Sequence, residues 1–591
     1  MKVFFALIIA VLFTCSVGPA CRADDRDRFV AIAYHDVVKT RAELASDAIT
    51  VDHLIEQFEW LLTNGYHPVS IDDLLAARSG KKPLPDKAVL LSWDDGYASF
   101  YELVFPLLKA YNFPAVLALE GTWLEPGSTS TVHYGQNAVS RKHFLSWQQL
   151  RELAASPLVE LASHSYNLHH GVLADRYGDK LPAGVVRKYD KQSKTYETDD
   201  AYFTRVYNDL EKNSRLLQAH LGRRPRVMVW PYGLYNKTTL AAARKAGMEI
   251  CMTLNAVPGN IHNLQEIGRM YPTLNTSLAE FRNYLTPDIR TPVRHFVKVD
   301  SGQLLDPSPD TEKHYGLFLN RLKALGPSMV LFSPVVEKKD GLQALFPSRV
   351  VPMLQDRLMR FSWHTFHRGG AATYFWLPSV LFRTDTFASK EKGRRFFSEM
   401  GNFAFGDGAV VDAPSLVSSL FALPTDKIDK QVLAYWDPAR RKMARNHLRN
   451  NCNDVQCEEI LARLAALQEG QPFLEMGLVL PLARLSELDT DRATVLLRYF
   501  DFLVVDTGVT ASPDSLQSAL GNLDLLDMGL TKKVYILVHY ENNDRELAET
   551  FASFPYLNII NWGYDNDDFL AQRPAIKGIR PFVSDRRNPF Q

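Results

Sequence analysis

From residue 29 onward, short apolar runs alternate with stretches whose apolar positions recur every three or four residues. Runs at 29–34, 88–91, 115–119, 158–162, 226–229 and 249–253 are short and mostly apolar, which predicts buried strands. Between them, 51–64 places Leu54, Ile55, Phe58, Leu61 and Leu62 on a helical stripe, closed by Gly65. Further helices are predicted over 100–111, 203–220 and 237–246, and Ser70 with Asp73 reads as a capping box before Leu74 and Leu75. Strands alternating with helices in this way imply a parallel sheet or barrel. The pattern loosens over 255–294, where Pro258, Pro272, Pro287 and Pro292 fall, and a domain boundary belongs there. Alternation then resumes, with strands at 295–299, 329–332, 373–376, 502–505, 534–538 and 558–562 and a helix at 312–325. The second half therefore reads as another α/β barrel, with no sequence repeat linking the two.

The first residues have a different pattern. Lys2 precedes an apolar run at 3–13, too short for the roughly 20 residues that span a bilayer, followed by small Gly18 and Ala20. This reads as a secretory signal over 1–20 and sends the chain to the periplasm. Cleavage after Ala20 would leave Cys21 first, where a lipid could anchor the protein to the outer membrane. Gly18 stands where lipoprotein signals prefer Leu, so lipidation stays open. In an oxidising compartment Cys452 and Cys457 are close enough to bridge, whereas Cys251 lies in an apolar run and reads as a buried hydrophobe. The chain has 591 residues, room for two to four domains, with 67 basic and 67 acidic side chains. A balanced charge argues against nucleic acid as a partner.

Chemistry concentrates at the ends of the predicted strands. Ser92-Trp93-Asp94-Asp95-Gly96-Tyr97 leaves one of them, the end where parallel α/β folds build their sites. Adjacent carboxylates point in different directions, so one can hold a metal while the other stays free as a base. Alone, the pair could equally cap a helix. His164 and His169 lie five apart, which would set them about 140° apart on a helix, so they belong to a strand end and a loop around an ion. With His170 they form a cluster that core packing does not explain. Asp95, His164 and His169 would give three ligands and leave a position for water. His35 follows the first strand in Tyr34-His35-Asp36, with Asp36 either orienting it or capping a turn. Trp230-Pro231-Tyr232-Gly233 follows another strand and reads either as a tight turn or as a backbone N–H for an oxyanion.

Asp94-Asp95-Gly96-Tyr97, His164-x4-His169 and Trp230-Pro231-Tyr232-Gly233 resemble the NodB-homology polysaccharide deacetylases. The opening Tyr34-His35-Asp36, four residues rather than three between the ligand histidines, and Trp230 in place of the usual Arg narrow the resemblance. It is then to the poly-β-1,6-N-acetyl-D-glucosamine N-deacetylases of biofilm formation. The resemblance implies an α/β chain of two (β/α) barrels in tandem. The first, over 28–275, is a NodB-type barrel that can be incomplete; a linker spans 276–294; a glycoside-hydrolase-like barrel fills 295–591. It also implies a divalent metal (Zn, Ni, Co or Fe) on Asp95, His164 and His169 and Asp94 as base. His35 is then the acid, and the Tyr232 N–H the oxyanion donor. The polymer is the implied partner, with an outer-membrane export porin beyond it.

The second barrel would bind, or also cleave, the deacetylated polymer. Cleavage needs two placed carboxyls. The loop Phe405-Gly406-Asp407-Gly408-Ala409 carries one acid where cleaving relatives have a pair, and Asp300, Asp306, Glu475, Asp506 and Asp565 read first as caps or solvated acids. Trp363, Phe366, Tyr374, Phe375, Trp376, Trp562 and Tyr564 are candidates to stack on sugars, although most read as core. The competing readings are a non-catalytic polysaccharide-binding lipoprotein and a deacetylase of peptidoglycan or chitin.

Overall fold

A computed structural model of the protein describes residues 27–125, 131–134, 137–285, 294–305, 307–425, 438–452, 454–508, 530, 532–539 and 558–564. The leader and Cys21 lie outside the described residues.

The first unit is a curled, mostly parallel sheet. Its strands are β1 (Arg28–Tyr34), β2 (Ala88–Trp93), β3 (Ala115–Leu119), β4 (Val159–Ser163), β5 (Val227–Val229), β6 (Ile250–Met252) and β7 (Gly259–Asn260). They line up as β6-β5-β4-β3-β2-β1-β7, and only β7 runs antiparallel, beside the start of β1. From β1 to β6 sequential strands are spatial neighbours, as βα units dictate, and β7 returns to the far edge beside β1. Apolar side chains pack on both faces of the sheet, which is why these strands read as unbroken apolar runs. The sheet does not close by regular strands. Isolated bridges from Met252 to Ile267 and from Ile32 to Met270 span the gap between β6 and β1. The first barrel is thus incomplete, and an irregular segment, 267–270, fills its opening.

The helix α1 (Val51–Thr63) buries Leu54, Phe58 and Leu61 as its stripe predicts, but leaves Leu62 exposed. The helix expected at 100–111 begins as a wider π turn, Phe100–Val104, and turns regular only over Phe105–Tyr111. Pro106, which has no N–H to give, sits in the first turn of that regular stretch. The longest helix, α2 (Asp199–Leu221), is capped by Thr198 and ends at left-handed Gly222. Within the stretch 276–294 a helix forms at Leu278–Leu285, and Phe281 is buried with its ring edge against Trp60.

The second unit is a closed barrel of eight parallel strands: β8 (Phe296–Val299), β9 (Met329–Phe332), β10 (Ala372–Leu377), β11 (Gly408–Val411), β12 (Glu475–Pro481), β13 (Phe502–Asp506), β14 (Val534–His539) and β15 (Asn558–Tyr564). Its interior is filled by Phe296, Leu331, Tyr374, Trp376, Phe502 and Tyr535 with neighbouring aliphatics, so it is a packed core and no pore. The sequence pattern misses β11 and β12.

The units share a junction. The helix α3 (Leu358–Gly369) sends Met359 and Trp363 into an apolar cluster with Leu168, Tyr235 and Met248 of the first unit. Around it, buried Asp356 accepts hydrogen bonds from Arg176, Tyr177 and Tyr196, while Asp179 pairs with Arg360 and His364. Cys452 follows the helix α4 (Pro438–Asn450) and Cys457 lies in the first turn of α5 (Val455–Gly470). Their sulfurs are 2.6 Å apart, so the two cysteines that the sequence leaves open to bridging are brought together. Cys251 is buried, as its apolar surroundings predict.

Candidate metal centre

The end of β2 sets the site. The Asp94 N–H donates to the Tyr34 carbonyl, continuing the ladder to β1, and the next residue breaks it. Asp95 is left-handed, with φ +74°, and so is Gly96, with φ +75°. Such a turn sends the two carboxylates apart, and a non-glycine residue holds it only where its surroundings fix it.

Asp95 meets the histidine loop. His164 Nε2 is 3.3 Å and His169 Nε2 3.7 Å from Asp95 Oδ1. The ligand atoms of all three lie within 4.8 Å of one another. His164 Nδ1 is 2.8 Å from the Val229 carbonyl, to which it must donate, and this turns Nε2 towards Asp95. Burial pushes the His169 imidazole down to about 4, so it is neutral near pH 7 and its lone pair is available. Burial alone would raise Asp95, but its hydrogen bond with His164 outweighs it and holds Asp95 well below the carboxylate range. One carboxylate and two imidazoles, buried and convergent, suit a divalent transition ion such as Zn²⁺.

Asp94 is held elsewhere. Arg269 grips it in two parallel hydrogen bonds, Nη1–Oδ1 2.7 Å and Nη2–Oδ2 2.8 Å. The guanidinium is fully buried and also donates to the Thr253 carbonyl and the Ser92 hydroxyl. Burial works to protonate Asp94, yet this pairing keeps it ionised. His35 Nε2 stands 3.9 Å from Asp94 Oδ2, and the His35 ring lies against Tyr271. Asp36 turns away to accept from the Ser99 hydroxyl, so it fixes the turn.

Tyr232 completes the rim. It is left-handed, with φ +59°, and its ring, 39% exposed, packs against His169 at 4.5 Å between centroids. Trp123 covers the other side of His169, and Trp230 is buried beneath. The structure thus gathers all six sequence-predicted residues, His35, Asp94, Asp95, His164, His169 and Tyr232, at one end of the sheet. Sequence reasoning missed Arg269 and Glu120. A lone arginine beside Ile267, Gly268 and Met270 was the available signal, because a buried guanidinium needs a carboxylate.

The second unit divides its acids by end. Asp407, just before β11, accepts from the Thr373 N–H, and Glu475, the first residue of β12, pairs with Arg294 and Tyr374. Both lie at the N-terminal end of the barrel, opposite to where ligands bind, and serve its packing. Asp300 accepts from the Gly302 N–H as a cap. At the C-terminal end, Lys298 Nζ lies 3.8 Å over the Trp376 ring, in the field of Asp506 and Asp412. Burial pulls its ammonium down to about 7 against those carboxylates. Tyr374 and Phe375 are core, Trp363 packs at the junction and Phe366 is exposed. Asp306, Asp565 and the side chains of Trp562 and Tyr564 lie outside the described residues.

Residues 81–251 match the polysaccharide deacetylase family. The first unit is a polysaccharide deacetylase domain. The chain is 36% identical over 369 residues to the poly-beta-1,6-N-acetyl-D-glucosamine N-deacetylase of Escherichia coli K12, covering 62% of this chain and 55% of that one. It therefore spans about half the length of the curated relatives it first matches. Among solved structures, a de-N-acetylase from Aggregatibacter actinomycetemcomitans is 38% identical, covering 44% of this chain and all of that one, with a TM-score of 0.42. The PgaB (BpsB) glycoside hydrolase domain from Bordetella bronchiseptica is 18% identical, covering 50% and 99%, with a TM-score of 0.35. In this deacetylase domain the residues that match the family's motifs are the ones the fold brings together.

Proposed function

We propose that the protein is a metal-dependent N-deacetylase of exported poly-β-1,6-N-acetyl-D-glucosamine, releasing acetate and leaving a partly deacetylated polymer. The observation that carries this is the division of labour at β2. Asp95 converges with two histidines, while Asp94, one residue away, is kept as an ionised carboxylate by Arg269. The E. coli relative's name supplies the substrate.

A divalent ion held by Asp95, His164 and His169 would supply Lewis acidity for the acetamide carbonyl and lower the pKa of water from 15.7 towards about 7. Asp94 accepts the proton that the attacking water loses. Arg269 stops Asp94 from swinging towards the ligands and keeps it deprotonated between turnovers. The Tyr232 N–H, presented by the left-handed turn, receives the negative charge that builds on the carbonyl oxygen. His35 gives its proton to the departing amine as the C–N bond breaks. The two proton carriers are 3.9 Å apart, so Asp94 can return its proton to His35 after each cycle. Each amide consumes one water and yields one acetate and one glucosamine amine, which adds positive charge to a neutral polymer.

The second barrel binds the deacetylated product at its C-terminal mouth, where Asp412 and Asp506 face an amino sugar's charge and Trp376 backs the site. Among the described residues no helix is long and apolar enough to cross a membrane. The leader pattern at 1–20 supports a periplasmic protein, held at the outer membrane where Cys21 carries a lipid and passing its product to an export porin. Acetate release from the polymer tests the reading, with chitin oligomers and peptidoglycan in parallel. The metal-loaded chain should release acetate from the β-1,6 polymer, and Asp94→Asn and chelated protein should not. Faster release from chitin or peptidoglycan would reassign the substrate, and no release from any polymer would favour a binding protein.

A further inference from the structure

The loop that carries both ligand histidines has an internal support that the reaction does not use. Ser165, between them, is left-handed with φ +83°, a conformation that is strained for a non-glycine residue and persists only where it is held. Its hydroxyl donates to Glu120 Oε2 at 2.6 Å and accepts the Leu168 N–H at 2.9 Å. The His169 amide faces the same Glu120 carboxyl. Backbone bonds tie the two segments together as well: the Gly121 N–H reaches the Ser165 carbonyl at 3.0 Å and the Thr122 N–H the Tyr166 carbonyl at 2.8 Å. Across the loop Asp209, on α2, accepts the Tyr166 and Asn167 N–H groups. Asn213, one turn further on, donates to the Leu119 carbonyl and the Ser163 hydroxyl.

Glu120 is 1% exposed, and its Oε1 is buried with no hydrogen-bond partner. A carboxyl in that position costs stability, and an apolar side chain of similar size would not. Its contacts all lead to the span from Ser165 to His169. No room exists for a longer spacer at the next position, since a Cβ on Gly121 would sit 2.6 Å from both Asn213 Oδ1 and the Tyr166 ring.

We propose that Glu120 is the positioning residue of the ligand loop. By accepting from the Ser165 hydroxyl, and with the His169 amide against it, its carboxyl fixes the separation of the two imidazoles and so sets the affinity for the divalent ion. The inference rests on the metal reading above. It predicts that geometry matters and charge does not: Gln at this position keeps an acceptor for Ser165, and Ala removes it.

Zn²⁺ titration of the metal-free full chain by calorimetry, with the visible spectrum of the Co²⁺ form as a second readout, tests it. Glu120→Ala should bind Zn²⁺ about 10–100-fold more weakly, the usual cost of losing a support behind a metal ligand, and should shift the Co²⁺ bands. Glu120→Gln should stay within about threefold of the wild type with an unchanged spectrum. Ser165→Ala, which removes the donor and leaves Glu120 in place, should weaken Zn²⁺ by about tenfold and carries the test if Glu120→Ala does not fold. Wild-type affinity in Ser165→Ala or Glu120→Ala overturns the proposal, as does a loss in Glu120→Gln equal to that in Glu120→Ala. A wild-type chain that binds neither ion would instead refute the metal reading on which it stands.

Discussion

Asp94 and Asp95 are adjacent and chemically identical, and one backbone angle separates their tasks. The positive φ of Asp95 turns its carboxylate towards His164 and His169, while Asp94 stays in line with β2 and meets Arg269. The consequence is a pair of single substitutions with different signatures. Asp94→Asn should lower acetate release by about 10²–10⁴-fold, the worth of a general base, with Zn²⁺ stoichiometry unchanged. Asp95→Asn should lose the metal itself, which elemental analysis of the dialysed protein reads directly. Tyr232 offers a finer comparison, because its proposed contribution is a main-chain N–H that any side chain leaves in place. Tyr232→Ala should fall well short of the roughly 10²–10³-fold loss expected when an oxyanion donor is removed. A loss of that full size, measured as kcat on the polymer, would transfer the role to the phenol ring.

At the scale of elements, the position of an acid along a barrel strand decides what it can do. Glu475 opens β12 and offsets Arg294 at the N-terminal end; Asp506 closes β13 at the opposite end. Glu475→Ala removes the carboxylate to which Arg294 and Tyr374 donate and should cost about 1–3 kcal/mol in denaturant unfolding of the barrel, with deacetylation unchanged. Asp506→Asn should leave that transition in place and weaken binding of glucosamine oligomers, read by calorimetry. The same elements show what the sequence discloses. Six of the eight barrel strands stand out as apolar runs, while β11 and β12 do not. Gly408 opens β11 in a turn-like Gly-Asp-Gly setting, and Gly477 interrupts β12. Both glycines are there because barrel aromatics take up the space: a Cβ on Gly408 would collide with the Tyr374 ring, and one on Gly477 with the Phe502 ring. Propensity reads glycine as a break where packing demands it within a strand. The candidate metal ligands were legible because their residue types are rare together. Arg269 was not, since its meaning depends on a bridge between residues 267–270 and β1 that no local pattern reports.

For the whole molecule, the junction sets how the two units respond to pH. Asp175 and Asp179 lie side by side on the first unit, and Asp179 faces Arg360 and His364 across the boundary. The pair shares a proton unequally. Burial, then the Asp179 carboxylate, pushes Asp175 up to about 6, whereas the hydrogen bonds from His364 and Arg360 outweigh burial and hold Asp179 below the usual range. An unfolded aspartate titrates near 3.9, so between about pH 4 and pH 6 the folded chain binds the proton that the unfolded chain has released. Asp175 therefore costs stability increasingly as pH rises through that window, and the full cost is present above it. Asp179 acts the other way: its support is present above about pH 4 and fades as pH falls towards its depressed value. Asp175→Asn keeps an oxygen to accept the N–H groups of Tyr177 and Asp179 and removes only the charge. It should raise the melting temperature at pH 7.5 by about 1–3 °C and leave it unchanged at pH 4, whereas Asp179→Asn should lower it at pH 7.5. Calorimetry across pH 4 to 8 separates the two. A uniform shift at every pH would mean that the junction responds to the lost contacts alone, with the shared proton playing no part.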